Sequence, residues 1–148
     1  MIRFSAAVAM ALLASSPAWA ASPTVRIEGK PYSAAHLTFK RAYHCPIDRL
    51  RIIDGDTLVC KGKHVRILGL DTPELHIPCE HDRAVAAKNR LSELLVAPHR
   101  VLIREARTLD RYGRALAVVL TDNHDVAPIL IGEGLAHPYS GGTRGGWC

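Results

Sequence analysis

From Leu50 onward the chain alternates between short apolar runs and polar breaks. "LRIIDGDTLVC" places Asp-Gly between two β-rich runs, which predicts a hairpin. "KGK" at 61–63 reads as a second turn and 64–70 as a third strand, so 48–70 is expected as a three-stranded meander. After Pro78 the period changes. Within 80–97, Ala84, Ala87, Leu91, Leu94 and Leu95 fall on one helical stripe, and Pro98 ends it. "RVLIREA" (100–106) and "RALAVVLT" (114–121) read as a fourth and a fifth strand joined by "TLDRYG", and "DNHD" (122–125) caps a short second helix over "VAPILIGEGLA". This order is that of a β-rich α+β chain. It predicts a closed five-stranded OB-fold barrel, with a helix between strands 3 and 4 and a short helix after strand 5. A mixed open α+β sheet is the alternative arrangement. No internal repeat and no low-complexity tract interrupts it.

Residues 21–46 show no clean period and read as an irregular or extended lead-in to a domain over 47–139; 140–148 is a glycine-rich arm. The first 20 residues have one early positive charge (Arg3), an apolar run, and Ala18-Trp19-Ala20 as a small-x-small cleavage pattern, which predicts a secretory signal peptide. An uncleaved anchor is the alternative. Cleavage leaves 128 residues, enough for one domain with a modest core. The expected location is secreted or periplasmic, with no stable membrane association after cleavage.

Charge narrows little. The 19 Lys and Arg outnumber the 14 Asp and Glu, and the leader carries only Arg3, so the exported part keeps a net +4. That excess permits a polyanionic partner without demanding one. Cysteines 45, 60, 79 and 148 all lie in the exported part, where four cysteines predict two disulfides. Four allow three connectivities; the pairing expected here is Cys45–Cys60 with Cys79–Cys148.

Three polar stretches break the apolar scaffold: "DGDT" (54–57), Arg66 with "DTPE" (71–74), and "DRYGR" (110–114). Each alone is adequate turn chemistry. Together they point to one rim. Asp56 at the start of strand 2 and Asp71 at the end of strand 3 can lie side by side, and two adjacent carboxylates repel unless a cation lies between them. Oxygen donors select a hard ion such as Ca²⁺, with the Thr72 carbonyl and water completing the shell. Glu74 can stay outside that shell and take a proton from water. Arg66 and Arg114 lead to the same rim, and guanidinium groups bind phosphate bidentately. A cation, two arginines and a carboxylate base suit phosphodiester hydrolysis.

"IIDGDTLVC", "VRILGLDTPE", "LDRYGRALAVV" and "GLAHPY", in that order, resemble the thermonuclease (staphylococcal nuclease-like) family over about 48–139. The resemblance implies a calcium-dependent nuclease on an OB barrel that cleaves DNA and RNA to leave 3′-phosphates. It implies metal ligation by Asp56, Asp71 and Thr72, catalysis by Arg66, Arg114 and Glu74, and nucleotide contacts from Arg111, Tyr112 and Tyr139. The family's long third helix is missing here, and among the aromatic residues after "GLA" only Tyr139 stands out.

Two other readings compete. His76, Cys79 and His81 in "HIPCEH" have a spacing that zinc could use, but no fourth ligand is evident. A catalytically silent OB-fold module would bind single-stranded nucleic acid or a protein, but it has no need of all five charged rim residues, and the chain is poor in the aromatic side chains that form stacking platforms. Nucleic acid as substrate and a monomeric state are the expectations.

Overall fold

In the computed structural model the strands read between Leu50 and Leu70 pair as a meander: β4 (Leu50–Ile52), β5 (Thr57–Cys60) and β6 (Lys63–Ile67) are successive antiparallel neighbours. The structure describes residues 25–27, 30–32, 39–96 and 100–148. The expected signal peptide lies outside them. The β5–β6 turn is tight because Lys61 and Gly62 both take positive φ (51° and 80°), the handedness that matches strand twist.

The third predicted strand is broken. β6 ends at Ile67; Leu68 donates its N–H to the Ala117 carbonyl, and Gly69 at φ +87° turns the chain into a separate β7 (Gly69–Asp71). A left-handed φ of this kind is costly for any residue with a Cβ. β7 pairs with β11 (His137–Tyr139), the strand that opens the C-terminal arm.

The remaining strands are β8 (Val101–Leu109), β9 (Ala115–Thr121) and the short β10 (His124–Asp125), with β3 (Phe39–Cys45) before them. β3 falls in the stretch read as irregular or extended, where its alternation was too weak to identify a strand; it pairs with β8 over its length. β1 (Val25–Ile27) and β2 (Lys30–Tyr32) form a separate two-stranded pair. The main sheet runs β3-β8-β9-β6-β5-β4, with β10 on β9, and is mixed because β6 and β9 are parallel. Closure into a five-stranded ring is not what the pairing shows. β3 and β4 stand at the two ends of an open hydrogen-bonded path. The Cys45–Cys60 disulfide, Cα atoms 5.9 Å apart, ties β3 to β5 where no ladder does.

Two helices cover this β-rich sheet. α1 (His81–Leu95) buries Ala84, Ala87, Leu91 and Leu95, so the apolar stripe is the core face. α2 (Val126–Gly132) is capped by Asp125, whose carboxylate accepts from the Ala127 N–H at 3.0 Å, and it buries Val126, Ala127 and Leu130. Leu58, Ile67, Leu70, Leu91, Leu95, Ile103 and Leu130 are fully buried in one cluster. Truncating any of them to alanine costs about 2–5 kcal/mol. Among the described residues no helix is long and apolar enough to cross a membrane.

Candidate functional site

The β5–β6 hairpin sets Thr57 opposite Arg66, which brings the Asp54–Asp56 turn beside the end of β6. Arg66 is only 9% exposed, so its charge needs partners within the protein. Its Nη1 donates to the carbonyls of Ile67 (2.8 Å) and Leu70 (3.0 Å). Its Nη2 lies 2.9 Å from Asp56 Oδ2 and 3.4 Å from Asp71 Oδ1. The two carboxylates are therefore joined across one guanidinium nitrogen.

Asp71 is buried, and burial pushes its carboxyl above the ordinary range, against the hydrogen bond and charge of Arg144. Its Oδ2 is buried with no hydrogen-bond partner among the described residues. The next residue, Thr72, donates its N–H to Asp56 Oδ2 at 3.3 Å, closing a small loop between the two aspartates. Gly55 lies under this loop: a Cβ there would stand 2.8 Å from both Thr72 Cγ2 and Ala87 Cβ, closer than carbon atoms tolerate. Asp54 accepts from the Asp56 N–H at 3.0 Å, and burial together with the Asp56 charge pushes its carboxyl up to about 6.

Glu74 follows Pro73. Its backbone N–H donates to the buried Glu80 carboxylate at 2.7 Å, which fixes the turn that carries it. Its own carboxylate is paired with Arg144, and His76 Nδ1 lies 3.6 Å away.

Arg114 enters from the β8–β9 connection. Asp110 Oδ1 accepts from the N–H groups of Tyr112 and Arg114, both at 2.8 Å, and Oδ2 accepts from Arg114 Nε at 2.6 Å. Burial pushes the Asp110 carboxyl up, but these bonds outweigh it and hold the group below the usual carboxylate range. Arg114 Nη1 reaches Thr57 Oγ1 at 3.3 Å, linking the loop to β5. Tyr112 is 67% exposed, with the Arg111 and Arg114 guanidiniums 4.8 and 5.4 Å from its ring centre.

Asp56, Arg66, Asp71, Glu74 and Arg114 all line one cleft of about 560 Å³. Arg111, Tyr112 and Tyr139 line it too. Tyr139 is placed by the β7–β11 pairing, where it stands opposite Gly69, and its hydroxyl donates to the Gly142 carbonyl at 2.9 Å. Thr72 does not line the cleft: the residue is buried, and its backbone carbonyl accepts from Arg144 Nη2 at 2.8 Å.

Three cleft residues were not singled out from sequence. Asp54 and Asp110 sat in the polar stretches as turn residues, and nothing in the spacing separated them from Asp56 or Arg114. Arg144 is the one charged residue of "SGGTRGGWC", a stretch with no period to place it; Cys148, four residues on, is bonded to Cys79. The zinc reading loses its cysteine, since Cys79 is bonded to Cys148; His81 Nδ1 is hydrogen-bonded to the Leu75 carbonyl at 2.8 Å.

Among the described residues no three His, Cys, Asp or Glu side chains gather into a metal cage. The donor set that is present is Asp56, Asp71 with its unpartnered Oδ2, and the Thr72 carbonyl. An all-oxygen set of this size suits a hard cation that keeps several waters. The orphaned buried oxygen is the observation that fits such an ion, since a buried acceptor without a partner is otherwise destabilising.

The sequence pattern of the family described as "Staphylococcal nuclease homologue" matches residues 64–144. A protein of Haemophilus influenzae described as "Uncharacterized endonuclease" is 32% identical over 92 residues, which are 61% of this chain and 50% of that protein. The chain thus spans about half the length of this curated relative.

Proposed function

Because the chain belongs to the staphylococcal nuclease homologue family, we propose that it is an exported, calcium-dependent nuclease that hydrolyses phosphodiester bonds of DNA or RNA and leaves 3′-phosphate ends. The observation that carries this reading is the convergence of Asp56, Arg66, Asp71, Glu74 and Arg114 on one cleft from three separate segments. The two disulfides support an oxidising, extracytoplasmic location for the protein.

Asp56, Asp71 and the Thr72 carbonyl would hold the calcium ion. When bound, the ion supplies positive charge to a non-bridging phosphoryl oxygen and to the attacking water. The rest is the work of this chain's own groups. Arg114, oriented by Asp110 through Nε, keeps its Nη groups for the phosphate, with Thr57 Oγ1 as a displaceable neighbour. Arg66 donates from Nη2 at the junction of the two aspartates. With those carboxylates neutralised, that nitrogen would be available to a phosphate oxygen. Both arginines then meet the charge that grows on the phosphoryl group as water attacks. Glu74 orients that water and accepts its proton. The oxygen of water bonds to phosphorus, the bond from phosphorus to the 5′ oxygen breaks, and the 5′ oxygen takes a proton from solvent. Tyr112, exposed at the mouth, offers a face for the sugar or base, and Arg111 beside it a charge for a neighbouring phosphate.

The test is hydrolysis of single-stranded DNA and RNA by the purified protein, with CaCl₂ or with a calcium chelator. Turnover in calcium that stops in chelator and falls by at least about 10²-fold in Glu74→Gln and Arg114→Ala is expected. Full activity of either variant would remove the site. Binding of single strands without turnover would make the chain a silent OB-fold module instead.

A further inference from the structure

Arg144 stands against two of the residues that the calcium reading uses, Asp71 and Thr72. Its Nε lies 2.7 Å from Asp71 Oδ1, its Nη2 donates to the Thr72 carbonyl at 2.8 Å, and its Nη1 is paired with Glu74. One guanidinium thus engages two of the three metal donors and the carboxylate that handles the water. Each of its three nitrogens is engaged with one of them.

The contact is held by the fold of the arm. β11 lies on β7, so the chain leaves Tyr139 directly beside the cleft. Gly141 and Gly142 take φ of +99° and +96°, which lets the chain fold back within two residues. Beyond Arg144, Trp147 stacks on His137 with ring centres 3.7 Å apart and planes within 5°. Its carbonyl accepts from Arg83 Nη1 at 3.0 Å, and Cys148 is bonded to Cys79 just before α1. Arg144 therefore sits between two anchors and approaches Asp71 as an intramolecular partner. Yet its side chain is 37% exposed, against 11% for Arg66, so it borders solvent where Arg66 is enclosed.

We propose that Arg144 is a built-in competitor of the calcium ion: the C-terminal arm latches the cleft by placing a guanidinium on Asp71, Thr72 and Glu74, and a divalent cation must displace it before Glu74 and the metal donors are available. This rests on the calcium reading of Asp56, Asp71 and Thr72. The charge logic is simple. Arg144 and a divalent cation draw on the same carboxylate and the same carbonyl, and as like charges they repel each other. Each neutralises the carboxylates, so each makes the other's presence unfavourable. The arm thereby sets the calcium concentration at which the cleft opens, and the Cys79–Cys148 bond strengthens the latch by keeping the arm in place.

The experiment is isothermal titration of CaCl₂ into the metal-stripped full chain, for wild type, Arg144→Ala and Cys148→Ser. Arg144→Ala is expected to bind calcium at least about tenfold more tightly, equivalent to about 1.4 kcal/mol. Cys148→Ser, which keeps the guanidinium but cuts its tether, is expected to bind more tightly than wild type by a smaller factor. Equal or weaker binding by Arg144→Ala would overturn the latch and leave the calcium reading intact, with the arm acting as a support for the ligands. Absence of any calcium binding in all three proteins would overturn the calcium reading and the latch with it.

Discussion

Glu105 shows how much a single buried charge depends on its surroundings. It is 1% exposed on β8, and it accepts from Arg41 Nε on β3 at 2.8 Å and is paired with Lys63 at the start of β6. Burial pushes its carboxyl up, but the bonds from Lys63 and Arg41 outweigh it and hold the group below its ordinary value. A carboxylate lowered in this way contributes stability above its unfolded pKa and loses it as pH falls through the folded one. Glu105→Gln is therefore expected to cost about 1–3 kcal/mol at pH 7, with the difference from wild type shrinking below about pH 4, as read from urea unfolding across pH. Gly55 carries a second prediction. Alanine there must push Thr72 or α1 by several tenths of an ångström, so Gly55→Ala is expected to weaken calcium binding and activity together while lowering stability by about 1–3 kcal/mol. At this scale the cleft residues were legible where chemistry forced them. A charged Arg66 in an apolar strand and carboxylates flanking Pro73 have no packing reason to be there. Asp54, Asp110 and Arg144 were not legible, because an acidic residue in a turn or an arginine among glycines is ordinary until a neighbour is known.

At the scale of elements, periodicity identified what it physically encodes. Alternating runs bounded by Asp-Gly and Lys-Gly-Lys became the β4–β5–β6 meander, and the stripe through Ala84, Ala87, Leu91 and Leu95 became the buried face of α1. The break at Gly69 and the short β7 and β11 escaped, since three-residue strands have no period to read. β3 escaped for another reason: Lys40, Arg41, Ala42 and His44 are exposed on an edge strand, so its polar face hides the pattern. The Cys45–Cys60 bond adds to the β3–β8 ladder a tie from this edge to β5. It spans 15 residues, and opening it in Cys45→Ala/Cys60→Ala is expected to destabilise the protein by about 3 kcal/mol. Because β3 is tied to β5 by that bond and by no ladder, the loss should appear first as faster amide exchange in Phe39–Cys45, before the rest of the sheet. Uniform loss of protection throughout the sheet would show that β3 is held by packing and not by the disulfide.

Across the whole molecule, the net charge of +5 is not concentrated in the cleft. The lining residues include five carboxylates (Asp54, Asp56, Asp71, Glu74, Asp110) against four guanidiniums (Arg66, Arg111, Arg114, Arg144). A polyanion gains little from approaching such a pocket alone. The attractive charge lies elsewhere on the surface: Lys40, Arg41, Arg49, Arg51, Lys61, Arg104 and Arg107 are all exposed, and among them only Arg41 and Arg49 have a carboxylate partner in a described ion pair. On the proposed nuclease reading, these residues would gather a long strand by counterion release, while the cleft would act on one phosphodiester at a time. Capture and chemistry then separate by substrate length. KM for a long single strand is expected to rise steeply with salt, roughly as the 0.7 power of salt for each phosphate neutralised, whereas KM for a dinucleotide should change little. Neutralising Lys40, Lys61 and Arg104 together to Gln should flatten the long-strand dependence and leave kcat on the dinucleotide unchanged. Equal salt dependence for both substrates would place the binding charge inside the cleft, and the arginines around Tyr112 would then have to supply it.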